Sequence, residues 1–384
     1  MRMKIRTLFL SLGLALLTAS CGGGSTTSQP ASDAATDSTA KTACTKFKLG
    51  TGVNVSHWLS QSDRRGEERA NQITKKDFDS IAAMGFDHVR LPIDEVQMYD
   101  ENMNRHEEAF ALMKNAIDWT LENNMNIIID LHIIRSFHFN ARPGENTLFQ
   151  KPGEKEKLIA IWKDLQSFLK DYPNDRLAYE LLNEAIAPSH EELNELEARL
   201  IASIRETEPE RTIIVGSNWQ QSVETIQYLK VPENDKNLIL SFHYYNPILV
   251  THYRAPWTVQ KKYDGKIQYP GLAIEDTSFY ASLPADTLAY FRRCNQNYDI
   301  NVMEQEILPA IKKGEEYGLQ VYCGEFGVFP EYIDRETRMK WYKDITTIFK
   351  KHNINNAHWC YKGDFPIVNT DGSPNDLPAI LLEK

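Results

Sequence analysis

Eight short β-rich runs, each set off by loops and amphipathic stretches, constrain this chain more than any other feature. They are "TGVNVSH" (51–57), "HVRLPI" (88–93), "NIIIDLH" (126–132), "LAYELLNE" (177–184), "TIIVGSN" (212–218), "LILSFHYY" (238–245), "LQVYCGE" (319–325) and "NAHWCY" (356–361). Several are apolar on both faces, as strands buried in a parallel sheet must be. Helical patterns separate them, among them "HEEAFALMKNAIDWTLENN" and "EKEKLIAIWKDLQSFLKDY", with apolar residues at helical spacing. "KKDFDSIAAMG" ends at Gly85, a helix stop, and "SVETIQYL" is read as a helix after the fifth run. This alternation predicts a single α/β domain over residues 46–384, a (β/α)8 TIM barrel. An open doubly wound sheet would announce itself by a Gly-rich phosphate turn. "GTGVNV" at Gly50 to Val55 has only two of the three glycines.

The first 45 residues read differently. Arg2, Lys4 and Arg6 precede the apolar "TLFLSLGLALL", which is too short for an ordinary membrane span. Ala19 and Ser20 lead directly into Cys21. The pattern resembles a bacterial lipoprotein signal over residues 1–21, with Cys21 as the acylated residue. Residues 22–45 are rich in Gly, Ser, Thr, Ala and Asp, a composition that cannot bury a core and reads as a flexible tether. The expected location is the cell envelope, with the membrane met only through the lipid.

A net charge of −10 argues against a nucleic-acid partner. It does not discourage a neutral polysaccharide, and seven Trp with 17 Tyr suit sugar faces as well as a large core. The chain has no CxxC pair. Cys44 is a conceivable disulfide partner for Cys294, while Cys323 and Cys360 sit in apolar runs as buried thiols.

Polar residues gather at the C-terminal ends of the runs: Arg90, His132, Asn183 with Glu184, His243 with Tyr245, Glu325 and Trp359. In a barrel such ends converge on one mouth. Two carboxyls in one aromatic-lined cleft are what glycoside hydrolysis needs, one protonated and one ionised. Arg90 and Tyr245 are placed to keep Glu325 ionised. Asn183 suits a sugar hydroxyl. Trp58 and Trp219 divide evenly between core and cleft; Tyr253 and Trp257, in the loop of more than fifty residues after Tyr245, divide evenly between binding sugar and holding that loop closed. Lys362 and Asp364 read as an ordinary solvated turn. His132 and His138 lack a third ligand at metal spacing, so neither metal nor cofactor is expected.

"NE" in the fourth run, "H-x-Y" in the sixth, "GEFG" in the seventh and Trp in the eighth resemble the active-site pattern of glycoside hydrolase family 5, the cellulase family. The resemblance spans nearly all of residues 48–384. It implies a retaining (β/α)8 enzyme with Glu184 as general acid/base and Glu325 as nucleophile. Arg90, His132, Asn183, His243, Tyr245 and Trp359 would complete the pocket. One departure stands out. Family members often carry two adjacent polar residues, commonly His-His, after the third strand, and here His132 is followed by Ile133. The loop "IRSFHFNARPGENTLF" is the expected replacement.

The expected activity is that of a monomeric endo-β-1,4-glucanase cleaving β-linked polysaccharide or oligosaccharide. Mannan, xyloglucan and mixed-linkage glucan backbones are alternatives on the same barrel. An alternative of another class is a non-catalytic glycan-binding lipoprotein, which would be free to lose one carboxylate. A serine hydrolase would want a GxSxG elbow, which the chain lacks.

Overall fold

The computed structural model describes residues 47–142 and 144–383. The signal segment, Cys21, the tether and Cys44 therefore lie outside the described residues. Eight parallel strands close into a barrel. They are β1 (Thr51–Asn54), β2 (His88–Asp94), β3 (Asn126–Ile133) and β4 (Leu177–Glu180), then β5 (Ile213–Gly216), β6 (Leu238–Tyr244), β7 (Gln320–Phe326) and β8 (Asn355–His358). Each pairs with its successor, and β8 closes on β1. All eight expected runs carry a strand, and the (β/α)8 architecture is as expected.

Helices α1 (Lys75–Met84), α2 (Glu107–Glu122), α3 (Glu154–Leu169), α4 (His190–Arg205), α5 (Ile300–Tyr317) and α6 (Arg335–His352) supply the outer layer. Gly85 ends α1 at φ 102°, a left-handed stop suited to glycine. The expected helix at 222–229 is instead one 3-10 turn, Ile226–Tyr228. Thr225 explains the difference. Its hydroxyl donates to the Asn218 carbonyl at 2.5 Å, with the Ser222 carbonyl 2.9 Å away, a local bonding pattern that competes with a helix. Among the described residues no helix is long and apolar enough to cross a membrane.

The barrel interior is layered. At the base, Phe47, Ile128, Ala178, Ile214, Ile239, Tyr322 and Ala357 form one buried apolar cluster. Side chains alternate along a strand, so the residue two positions on occupies the same face one step higher. That step replaces Ile128 by Asp130, Ala178 by Glu180 and Ile239 by Ser241. The apolar base thus gives way to a polar layer, and the polar layer to the mouth.

Candidate active site

Arg90 is the hub of the polar layer, fully buried on β2. All five of its N–H donors are used. Nε and Nη2 grip Glu180 at 2.6 and 3.1 Å. Nη1 donates to Asn54 Oδ1 (2.8 Å) and Glu325 Oε1 (2.7 Å), and Nη2 to Asn183 Oδ1 (2.8 Å). Asp130 Oδ2 lies 3.1 Å from Nη2. One cation therefore serves several buried carboxylates. It cannot hold all of them ionised: burial pushes Asp130 up to about 7 in spite of Arg90.

Glu325 reaches the mouth through a register shift. Phe242 pairs with Cys323 and His243 with Glu325, so Gly324 is the extra residue of a bulge. Such a bulge re-aims the next side chain. Gly324 must be small there, because a Cβ would meet Ser241 Oγ at 3.0 Å and His243 Nε2 at 3.2 Å. Tyr245 donates to Glu325 Oε2 at 3.0 Å, and Arg90 holds the other oxygen.

Glu184 stands past the end of β4, which stops at Glu180 rather than running to 184. It sits at φ 49°, in the left-handed region, and its backbone N–H donates to Gln221 Oε1 at 2.8 Å. Its Oε1 is 2.9 Å from His243 Nδ1. One ligand atom each from Glu184, Glu325 and His243 lies within 4.8 Å of the others, the one such cluster among the described residues. A cation there would compete with Arg90 and Tyr245, which already occupy both Glu325 oxygens.

The two carboxyls differ in environment. Burial raises Glu184 well above the carboxylate range, and the nearby Glu325 charge adds to this. Burial raises Glu325 too, but Arg90 opposes it, and so does the Tyr245 hydrogen bond. A shared proton therefore belongs on Glu184. Burial pushes His243 well below its usual range and His132 down to about 3, so both imidazoles are neutral.

A cleft of about 790 Å³ opens above this group, lined by His132, Asn183, Glu184, His243, Tyr245, Trp219, Glu325 and Trp359. His132 bonds Asp130 Oδ2 through Nδ1 (2.7 Å) and stacks on Trp359 with ring centroids 5.5 Å apart and planes 9° apart. It thus fixes the indole as well as facing the cleft. Asn183 Nδ2 has no protein partner, which leaves a donor for a ligand. His138, Phe139 and Asn140 from the loop after β3 supply cleft wall beside Ile133, as the missing second polar residue led us to expect.

Trp58 is a correction. It is fully buried, with its indole N–H donating to the Arg69 carbonyl at 2.8 Å, and it belongs to the core rather than the cleft. Of the long-loop pair, Trp257 lines the cleft, whereas Tyr253 is buried and donates to Gly265 O within the loop. The "YKGDF" turn is also divided. Lys362 pairs with Asp77 at 2.6 Å, but Asp364 lines the cleft, 3.3 Å from His57. Cys323 and Cys360 are buried thiols.

The family model for cellulase, glycosyl hydrolase family 5, matches residues 43–364. The chain belongs to this family. Endoglucanase C of Acetivibrio thermocellus is 31% identical over 344 residues, covering 87% of this chain and 98% of that one. Cellodextrinase A of Ruminococcus flavefaciens is 30% identical, covering 86% and 92%. The crystal structure of endoglucanase Cel5A of Thermotoga maritima superposes with a TM-score of 0.69 at 26% identity, covering 87% and 97%. Cel5A has also been solved with mannotriose and with cellobiose.

Four residues of this family 5 site escape a reading by motif: Asn54, Asp130, Glu180 and Gln221. Gln221 Nε2 donates to Glu180 Oε1 (3.1 Å) and Ser241 Oγ (3.0 Å), so its amide links Glu184 to the Arg90 layer. Gly216 makes room for it, since a Cβ there would lie 2.2 Å from the Gln221 side chain. Asp130 did leave a signal, as the lone carboxylate inside the apolar run "NIIIDLH".

Proposed function

We propose that this chain is a retaining endo-β-1,4-glucanase that cleaves β-glucan by double displacement. The observation that carries the reading is the unequal pair of carboxyls, Glu184 and Glu325, with oxygens within 4.8 Å in one cleft. Retention needs carboxyls about 5–5.5 Å apart, whereas inversion leaves about 6.5–9.5 Å for a water. Glu184, holding the proton, acts on the glycosidic oxygen as it leaves. Glu325, oriented by Arg90 and Tyr245, attacks the anomeric carbon and forms a glycosyl-enzyme. Glu184 then takes a proton from the water that resolves it. Asn183 meets a hydroxyl beside the reacting carbon, and Trp359 and Trp219 offer ring faces to the sugar.

The endoglucanase relatives support a glucan backbone. Mannan is the second reading, favoured by the mannotriose complex of the Thermotoga relative. A panel of β-glucans and mannans with linkage analysis separates the two. Glu325→Gln should lower kcat by more than about a thousandfold while substrate still binds. NMR of fresh wild-type products should show the β-anomer first. A fully active variant or an α-anomer first would overturn the mechanism.

The enzyme is further read as a monomer tethered to the cell envelope through lipid on Cys21. The charged, apolar and small-residue order of residues 1–21 supports this. Cys21→Ser should move it from the membrane fraction to the soluble one; unchanged sedimentation would sink the anchor.

A further inference from the structure

Two rings just outside the cleft, His190 and Tyr228, have no part in the chemistry above. Trp219, in the loop after β5, lines the cleft and is 57% exposed. Its ring meets His190 at 5.3 Å, tilted by 47°. His190 is the first residue of α4, and it stacks on Tyr228 at 4.4 Å with the planes 18° apart. Tyr228 is 49% exposed, and neither it nor His190 belongs to the cleft lining. A run of three rings therefore leaves the cleft and continues across the outer surface.

These rings are held in place. Asn218 Oδ1 accepts from the backbone N–H groups of Trp219 and Ala187, both at 2.8 Å, tying the loop after β5 to the one that carries Glu184. Asn194 of α4 donates to the Tyr228 carbonyl at 3.0 Å. Trp219, Gln220 and Gln221 are consecutive left-handed residues, at φ 60°, 62° and 52°. Non-glycine residues hold that conformation only where their surroundings enforce it, and such strain clusters at ligand sites. Contiguous exposed aromatic surface on a protein also usually marks an interaction.

The geometry points to a distal sugar-binding platform, His190 with Tyr228, which continues the Trp219 wall and takes the part of a β-glycan chain that extends beyond the cleft. The platform lies beside the loop that carries Glu184, the group that protonates the leaving half of the chain. Its occupant is the same polysaccharide, because Trp219 makes the surface continuous with the cleft. The face of Tyr228 turned away from His190 suits the flat face of a β-linked sugar and needs no particular hydroxyl, so the platform would favour long chains. The inference rests on the glucanase reading.

The test is steady-state kinetics of wild type, Tyr228→Ala, His190→Ala and Tyr228→Phe. Two substrates are compared, a soluble long-chain β-glucan and an aryl β-cellobioside that ends within the cleft. The alanine variants should raise KM for the polysaccharide roughly three- to tenfold at unchanged kcat. They should leave the aryl cellobioside unaffected, and Tyr228→Phe, which keeps the ring, should match wild type on both. Equal losses on both substrates would make the rings structural and overturn the platform, as would an unchanged polysaccharide KM. Wild type inactive on both substrates would sink the glucanase reading itself.

Discussion

On β3, Ile128 belongs to the apolar plug at the base of the barrel; two residues later, on the same face, Asp130 meets Arg90. The same step takes Ala178 to Glu180 on β4 and Ile239 to Ser241 on β6. Two layers of one barrel, one step apart on the same strands, thus cohere for different reasons. The base needs only volume and shape, because dispersion and the removal of apolar surface from water tolerate many arrangements. The layer above depends on matching. Arg90 brings five donors, and Asn54, Glu180, Asn183 and Glu325 supply acceptors in the right places. A buried ion cluster of this kind adds little net stability over a well-packed apolar layer, but removing one member leaves the others uncompensated. What the layer provides is position: Glu325 and Asn183 are fixed from below by the same guanidinium.

Paired substitutions, one in each layer, would break that comparison. Arg90→Met should have the largest effect. It strands Glu180, Asp130 and Glu325 without their cation, with an expected loss of about 3–5 kcal/mol or more. It should also abolish turnover, since Glu325 would then keep its proton. Ile239→Ala in the plug should cost about 2–5 kcal/mol through the cavity it leaves. It should spare kcat, because no hydrogen bond of the site passes through Ile239. Denaturant unfolding with kinetics on the same samples reads both. If Ile239→Ala lowered kcat as much as Arg90→Met, the two layers would not be separable.

The same contrast explains what could be read from the chain alone. The eight strands were legible as short runs set off by loops and helical patterns, several of them apolar on both faces as buried parallel strands must be. Glu184 and Glu325 were legible because each breaks such a run at its C-terminal end. Glu180 was not singled out, although it lies in the same stretch, "LAYELLNE". A carboxylate inside a strand acquires meaning only from Arg90, ninety residues away. Gln221 was hidden likewise, since its partners Glu180, Ser241 and Glu184 come from three different elements. The Gly324 bulge depends on cross-strand register, which alternation within one run does not reveal. Trp58 went to the core because its indole found the Arg69 carbonyl, and Tyr253 and Trp257 parted because only one of them faces the cleft.

Glu197 offers a contrast from outside the barrel, one that pH rather than a cavity exposes. It is a buried carboxyl on α4, no cation among the described residues offsets its burial, and its Oε2 has no hydrogen-bond partner there. Burial pushes it up to about 8, against a backbone hydrogen bond from Gly216. An unfolded glutamate titrates near about 4.3, so the folded protein holds this proton over the range between. Its contribution to stability is complete below the unfolded value and is lost as pH rises towards about 8, at up to about 1.4 kcal/mol per pH unit. Glu197→Gln keeps the shape and removes the titration. Its melting midpoint should match wild type near pH ~4 and exceed it increasingly towards pH ~8. Parallel curves would mean that Glu197 ionises in the fold without penalty, and that a buried carboxylate here needs no counterpart to Arg90.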